Sequence, residues 1–308
     1  MTLTLGGLPP RTAVVDQLLL LFMSGGAGLA VAALGFGQVT YGRLEIPNSM
    51  DPNDLGAVMA MTAPLALGYM LRARALGRVS GALVLALTAW VLIKTDSRGG
   101  SIGIASACAI VVLFSIGKKR LLGMAFLAAA AVLLVSTAPA SYFERLATLK
   151  SVSEDYNQTS YYGRVEVWRR GLGYVRAHPI VGVGAGAFEV AEGVTLEQAG
   201  KKGKWSNAHN AYLQAFAELG LPGGLLFLSL VVASIASSFR LVNLSIPTER
   251  KPFQRPELLG AVVGLAVSSF FLSFAYFAAW FGLWGLCVLG YRTMQSSSAP
   301  ALTQPLRN

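Results

Sequence analysis

Seven apolar runs dominate this chain, at 14–37, 55–71, 79–93, 101–117, 121–138, 221–239 and 258–290. A helix needs about 20 predominantly apolar residues to cross the hydrocarbon of a bilayer, with about 17 as the lower limit. Backbone polar groups cannot stay unpaired in lipid, so such runs must satisfy themselves as helices. The last run is long enough for two short spans turning near 273–276. The expected fold is therefore all-α, a polytopic transmembrane helix bundle of about eight spans. Charged residues make up 13% of the chain, against about 25% in soluble domains, which excludes an ordinary soluble fold. The first run is too long for a signal-peptide core and lacks a following cleavage pattern, so it reads as a retained span. Cys108 and Cys287 fall inside apolar runs and read as small buried hydrophobes rather than a disulfide framework.

The net charge of +10 would suggest nucleic acid in a soluble protein. Here the basic residues cluster between spans, so membrane orientation explains them and no nucleic-acid partner is expected. Arg72, Arg74 and Arg78 mark one loop, Lys118, Lys119 and Arg120 a second, and Arg240, Arg250, Lys251 and Arg255 a third. Even numbers of spans separate these loops, so all three lie on the cytoplasmic side. The opposite face then holds 38–54, the turn at 94–100 and a long segment, 139–210, whose charges nearly balance. Residues 1–138 thus read as N-terminal spans and 139–220 as a large extracytoplasmic loop with amphipathic helices. Residues 221–291 read as C-terminal spans, and 292–308, with Ser296-Ser297-Ser298 and two prolines, as a disordered cytoplasmic tail.

Within the loop, Val165, Trp168, Leu172 and Val175 recur with helical spacing, and Arg169, Gly173 and Arg176 form a second row. Such a helix lies in the membrane interface or packs on span ends, and Pro179 stops it. The turn Gly182-Val183-Gly184-Ala185-Gly186 has no flanking strand–helix unit, so a dinucleotide site is rejected. Asn207 is expected to cap a short helix beginning near His209 and ending at Gly220 and Pro222. Glu218 falls about 180° from His209 on that helix, which argues against a direct pair.

Three polar residues on the outer face suggest chemistry. Arg98 stands in Ser97-Arg98-Gly99-Gly100 at the start of a span, where unpaired N–H groups and the helix dipole favour an anion. Its guanidinium suits phosphate oxygens, although it also fits an interfacial anchor or a pair with Asp96. Arg164, in Gly163-Arg164-Val165-Glu166-Val167-Trp168, suits a diphosphate or a lipid headgroup. Lys94 is placed to snorkel from its span end. His209 has an ordinary pKa near 6.5, suited to a general base or to a structural role. A lone histidine without cysteine or histidine partners argues against zinc, and the chain has no Asp-x-Asp motif. No metal or other cofactor is expected. Asp51-Pro52-Asn53-Asp54 reads as a helix cap.

Taken in order, these motifs resemble the O-antigen ligase and polymerase superfamily. The resemblance rests on Asp51-Pro52-Asn53, Ser97-Arg98-Gly99, Gly163-Arg164 with Trp168, and His178-Pro179 followed by Gly182-Val183-Gly184. His209-Asn210-Ala211-Tyr212-Leu213 with Glu218-Leu219-Gly220 and Gly223 completes the set. It covers roughly 50–290. The resemblance implies a multi-span inverting glycosyltransferase of the bacterial inner membrane, with a GT-C-like architecture and a large periplasmic loop. It would move a glycan from undecaprenyl diphosphate to lipid A core, a polysaccharide or a protein hydroxyl, in surface polysaccharide biosynthesis. Arg98 and Arg164 would hold the diphosphate and His209 would assist the acceptor hydroxyl. Lys94, Trp168, Arg169, Asn210, Tyr212 and Glu218 complete the candidate substrate-binding set. Members carry more spans before the first motif, so this chain is expected to be a short member or to lack N-terminal spans. A lipid-linked sugar transporter and a membrane scaffold for polysaccharide assembly are the competing readings. The transporter fits less well, because the spans are nearly free of charge.

Overall fold

The computed structural model describes residues 7–137, 143, 160–243 and 255–298. Glu144, Arg145, Lys150, Glu154, Asp155, Arg250 and Lys251, which entered the charge reading, lie outside the described residues. Among the described residues the regular secondary structure is helical apart from one short hairpin. The helices are α1 (Thr12–Phe36), α2 (Pro52–Arg72), α3 (Ala75–Thr95), α4 (Arg98–Leu113) and α5 (Lys118–Thr137). After the loop segment come α6 (Arg164–Ala177), α7 (Phe188–Gln198), α8 (Ala211–Asn243), α9 (Pro256–Ser269) and α10 (Ala278–Ser298). Of these, α1, α2, α3 and α8 are long and apolar enough to cross a membrane, and α4 and α9 are shorter apolar helices. The chain is accordingly a multi-pass membrane protein built on helices.

The organising element is α2, which packs against α1, α3, α4 and α9. Its most apolar window is 89% buried, whereas those of α1, α3 and α8 are 28% buried. The outer helices turn side chains such as Leu21, Val31 and Leu83 outward, as lipid-facing surfaces require. Lipid supplies no hydrophobic drive between helices, so close packing of small residues has to hold the centre. That is what α2, α4 and α9 show. A Cβ on Gly264 would fall 2.5 Å from the carbonyl oxygen of Ala60 and 2.9 Å from the Cβ of Ala107. A Cβ on Gly100 would fall 2.9 Å from the Cα of Gly56. Gly264→Ala is expected to destabilise the protein by about 1–3 kcal/mol, because the obstructing atom is backbone. Thermal unfolding in detergent measures it, and an unchanged melting temperature would contradict this packing.

Charged groups at one end join the segments expected to share the cytoplasmic face. Arg72 pairs with the buried Glu257. Arg255 donates to Asp16 at 2.9 and 3.0 Å, and its Nε lies 3.9 Å from Glu257. The ends of α1, α2 and α9 therefore meet there.

Several sequence expectations are revised. The hairpin β1 (Gln38–Thr40) and β2 (Arg43–Glu45) was not expected. It pairs antiparallel through Tyr41-Gly42, both with positive φ, the backbone a two-residue hairpin turn needs. Residues 292–298 are helical and continue α10, and the remainder of the expected tail lies outside the described residues. In α6 the buried positions are Val167 and Gly171, while Val165 and Leu172 are about half exposed. Gly171 decides this. Its missing side chain admits Leu213 and the ring of Phe188, which a Cβ would meet at 2.9 and 3.0 Å. The short helix ends at Gly220 as expected, where φ of 69° and ψ of −173° break α8 into two pieces.

Candidate functional site

The end of the bundle opposite the Arg72–Glu257 pair collects the motifs quoted above. Asp51 caps α2 and accepts from the N–H groups of Asn53 (2.6 Å) and Asp54 (2.8 Å), while Asp54 accepts the Asp51 N–H at 3.1 Å. This is a reciprocal capping box with Pro52 at the first helical position. Asn53 then joins two further segments. Its Oδ1 accepts from Arg43 at 2.8 Å and from the hydroxyl of Ser97 at 3.2 Å. Ser97 caps α4 through the Gly100 N–H at 3.2 Å. Arg98 thus enters the first turn of α4 half-buried, on a helix start pinned to that of α2.

The stretch 270–277, between α9 and α10, connects this corner to His209. A Cβ on Gly99 would fall 2.9 Å from that of Phe271, so this stretch lies against α4 at the glycine after Arg98. Two residues on, the Ser273 hydroxyl accepts the His209 N–H at 2.9 Å. Phe270 meets the Trp168 ring edge-on with centroids 5.5 Å apart. Trp168 in turn donates its indole N–H to the carbonyl of Ala208 at 2.9 Å, beside His209. Arg164 begins α6, one turn before Trp168.

His209 is half-buried and holds a φ of 47°, in the left-handed region. Such backbone costs energy for a non-glycine residue and persists only where surroundings over-determine it. Burial pushes its imidazole from the usual 6.5 down to about 4, and the positive charges of Arg164 and Lys204 act in the same direction. The carboxylate of Asp51 acts in the opposite sense. Arg164, Asp51, Lys204 and His209 therefore share one electrostatic neighbourhood, and the imidazole is neutral at pH 7.

The other candidates take different places. Asn210, not Asn207, caps α8, accepting from the N–H groups of Tyr212 (3.0 Å) and Leu213 (3.1 Å). The helix consequently starts after His209, which frees the ring from helical geometry. The Tyr212 hydroxyl donates to the carbonyl of Ala266 at 2.9 Å, and its ring lies 5.8 Å from that of Phe227, within the helix packing. Arg169 turns outward, its side chain 80% exposed and 3.7 Å from Glu166. Its neighbour Arg170 is the enclosed one and binds Glu192 through Nε at 2.9 and 3.0 Å. Lys94 is exposed and lies over the Trp90 ring at 5.0 Å. Glu218 is buried and, as expected, bonds groups other than His209, although His209 stands before the helix and not on it.

Sequence reasoning passed over Gln214, Ser273 and Tyr276. Gln214 and Glu218 are polar residues four apart on an apolar helix, a spacing that puts both on one face and signals a buried polar contact.

Residues 82–228 match the family model Wzy_C, O-Antigen ligase. The matched span is just under half of the chain and includes Arg98, Arg164 and His209. Comparison with curated proteins returns no match.

Proposed function

We propose that this chain is an inverting, metal-independent glycosyltransferase of the bacterial inner membrane. It moves a glycan from an undecaprenyl-diphosphate carrier to an acceptor hydroxyl at the periplasmic face. The observation that carries this reading is the gathering of the Arg98, Arg164 and His209 segments around 270–277, inside a chain matching the O-antigen ligase family model. The family suggests a ligase or glycosyltransferase of polysaccharide biosynthesis, with a lipid-linked glycan and an acceptor as partners. An apolar cleft of about 690 Å³ between α3, α4 and α5 supports a lipid carrier. Leu83, Trp90, Ile104 and Phe126 line it, and so does Ser101, one helical turn from Arg98. The architecture is read as about eight spans in a GT-C-like arrangement, with acceptor choice in the 139–210 loop.

The chemistry follows from charge. The acceptor oxygen attacks the anomeric carbon, the bond to the diphosphate breaks, and the leaving diphosphate takes the bonding electrons as one further negative charge that must be held. Arg98 and Arg164 supply fixed positive charge there. Neutral His209 takes the hydroxyl proton. Purified protein supplied with undecaprenyl-diphosphate glycan and lipid A core, polysaccharide or protein acceptors should yield one acceptor of increased mass per carrier diphosphate released. Donor carried across the bilayer with no new glycosidic bond would reject the proposal in favour of a transporter.

The pH dependence has a defined sign. The lowered pKa keeps the ring neutral until the pH falls to about 4. In kcat/KM for the donor, which reports the free enzyme, the His209 limb should lie near pH 4 rather than at about 6.5. Bound diphosphate adds negative charge and raises the ring's pKa, so the limb in kcat should sit at higher pH. A kcat/KM limb near the ordinary histidine value, absent from His209→Ala, would contradict the burial of this ring.

A further inference from the structure

Glu218 is buried in an otherwise apolar stretch, at 2% exposure, and its carboxylate is bonded by neutral donors. Its Oε2 accepts from the Tyr276 hydroxyl at 2.6 Å and from the Gly186 N–H at 2.8 Å. Its Oε1 accepts from the Phe188 N–H at 3.2 Å and from the Gln214 side chain at 3.4 Å. A buried carboxylate is costly unless its lone pairs are filled, and here four donors from three segments fill them. The glycine turn is shaped for this. Gly182, Gly184 and Gly186 all have positive φ, and a Cβ on Gly182 would fall 2.3 Å from the backbone carbon of Glu218. The N–H groups of Val183 and Gly184 donate to the carbonyls of Ala217 (2.9 Å) and Glu218 (3.0 Å).

The far side of this joint is the stretch that holds His209. Gln214, one helical turn before Glu218, accepts the Ala275 N–H at 3.2 Å through its Oε1. Ser273, Ala275 and Tyr276 are therefore fastened in succession to His209, Gln214 and Glu218. Each bond alone is modest, but together they fix where the Ser273 hydroxyl stands and so where the strained His209 backbone sits.

We infer that Glu218, through Tyr276 and with Gln214, is a positioning residue: it fastens 270–277 to the glycine turn and thereby sets His209 for proton transfer. The inference rests on the transferase reading for its kinetic consequence, but not for its structural one. Glu218 touches no reacting atom. Its loss misplaces the base rather than removing donor binding, which belongs to the arginines.

Two readouts test it in full-length protein in bilayers. Glu218→Gln, Tyr276→Phe and Ser273→Ala should each lower kcat for glycan transfer by about 10- to 100-fold with donor KM unchanged, as small misplacements of a catalytic group do. The ring resonances of the two histidines, His178 and His209, are told apart with His209→Asn. In the variants the His209 ring should titrate at higher pH than in the parent, as water reaches it, with Arg164, Lys204 and Asp51 unchanged around it. Should Glu218→Gln fail to insert, Tyr276→Phe and Ser273→Ala, each lacking one hydroxyl, carry the test. Parental transfer with kcat and His209 titration unaltered in these variants would overturn the inference and leave the transferase reading standing. Absent transfer in the parent, with the titration still displaced in the variants, would support the inference and reject the transferase reading.

Discussion

His209→Ala is expected to lower glycan transfer by about 100- to 10,000-fold, the range a positioned general base contributes, while the protein inserts and binds its donor as before. The reason lies in what the ring faces. It is held neutral by burial and by Arg164, so it is an acceptor at pH 7 and has no proton to lose first. The charged groups that act on the ring are poor substitutes for it. Arg164 and Lys204 are cations, and both oxygens of Glu218 are filled some distance along α8. Asp51 is the nearest carboxylate in electrostatic terms, but its Oδ1 is spent capping α2. Single-turnover transfer with saturating donor measures the chemical step. A variant within a few-fold of the parent would remove His209 from the reaction and leave it a strained structural residue.

Arg98→Ala and Arg164→Ala should each cost about 100- to 1,000-fold in kcat, comparable with the loss of one preorganised donor to a developing oxyanion. Lysine at either position should restore only part, because an ammonium lacks the planar fork that matches two phosphate oxygens. The two arginines should differ in a second property. Arg164 depresses the His209 pKa, so Arg164→Ala should raise it and move the acid limb of kcat/KM upward. Arg98 has no such influence on the ring among the causes of its shift, so Arg98→Ala should leave that limb in place. Equal displacement of the limb by both variants would contradict the geometry.

Much of the helix content was legible because apolar runs have a length scale that the bilayer imposes. The runs at 55–71 and 79–93 became α2 and α3 with small shifts at their ends, and 258–290 divided into α9 and α10 around 270–277. The capping role of Asp51 was legible too, since Asp-Pro-x-Asp states its own hydrogen bonds. The hairpin at 38–45 was not, because three-residue strands have no periodicity to read. The facing of α6 was misjudged for a related reason: apolar spacing shows that a face exists but not that Gly171 would be the point of contact. At the candidate site, Arg98, Arg164 and His209 stood out by residue type and by the family pattern. Ser273 and Tyr276 did not, because their meaning depends on the partners that tertiary packing gives them.

On this reading Arg98, Arg164 and His209 act on one bound diphosphate. Binding of undecaprenyl diphosphate to the parent, to Arg98→Ala, to Arg164→Ala and to the double variant, in nanodiscs, tests this most directly. Binding should weaken in each single variant, with a coupling energy between the arginines of at least about 0.5 kcal/mol, as expected for groups sharing a ligand. The His209 ring should also titrate at higher pH once the diphosphate is bound. Affinity unchanged in the single variants, or strictly additive losses with an undisturbed His209 titration, would contradict it.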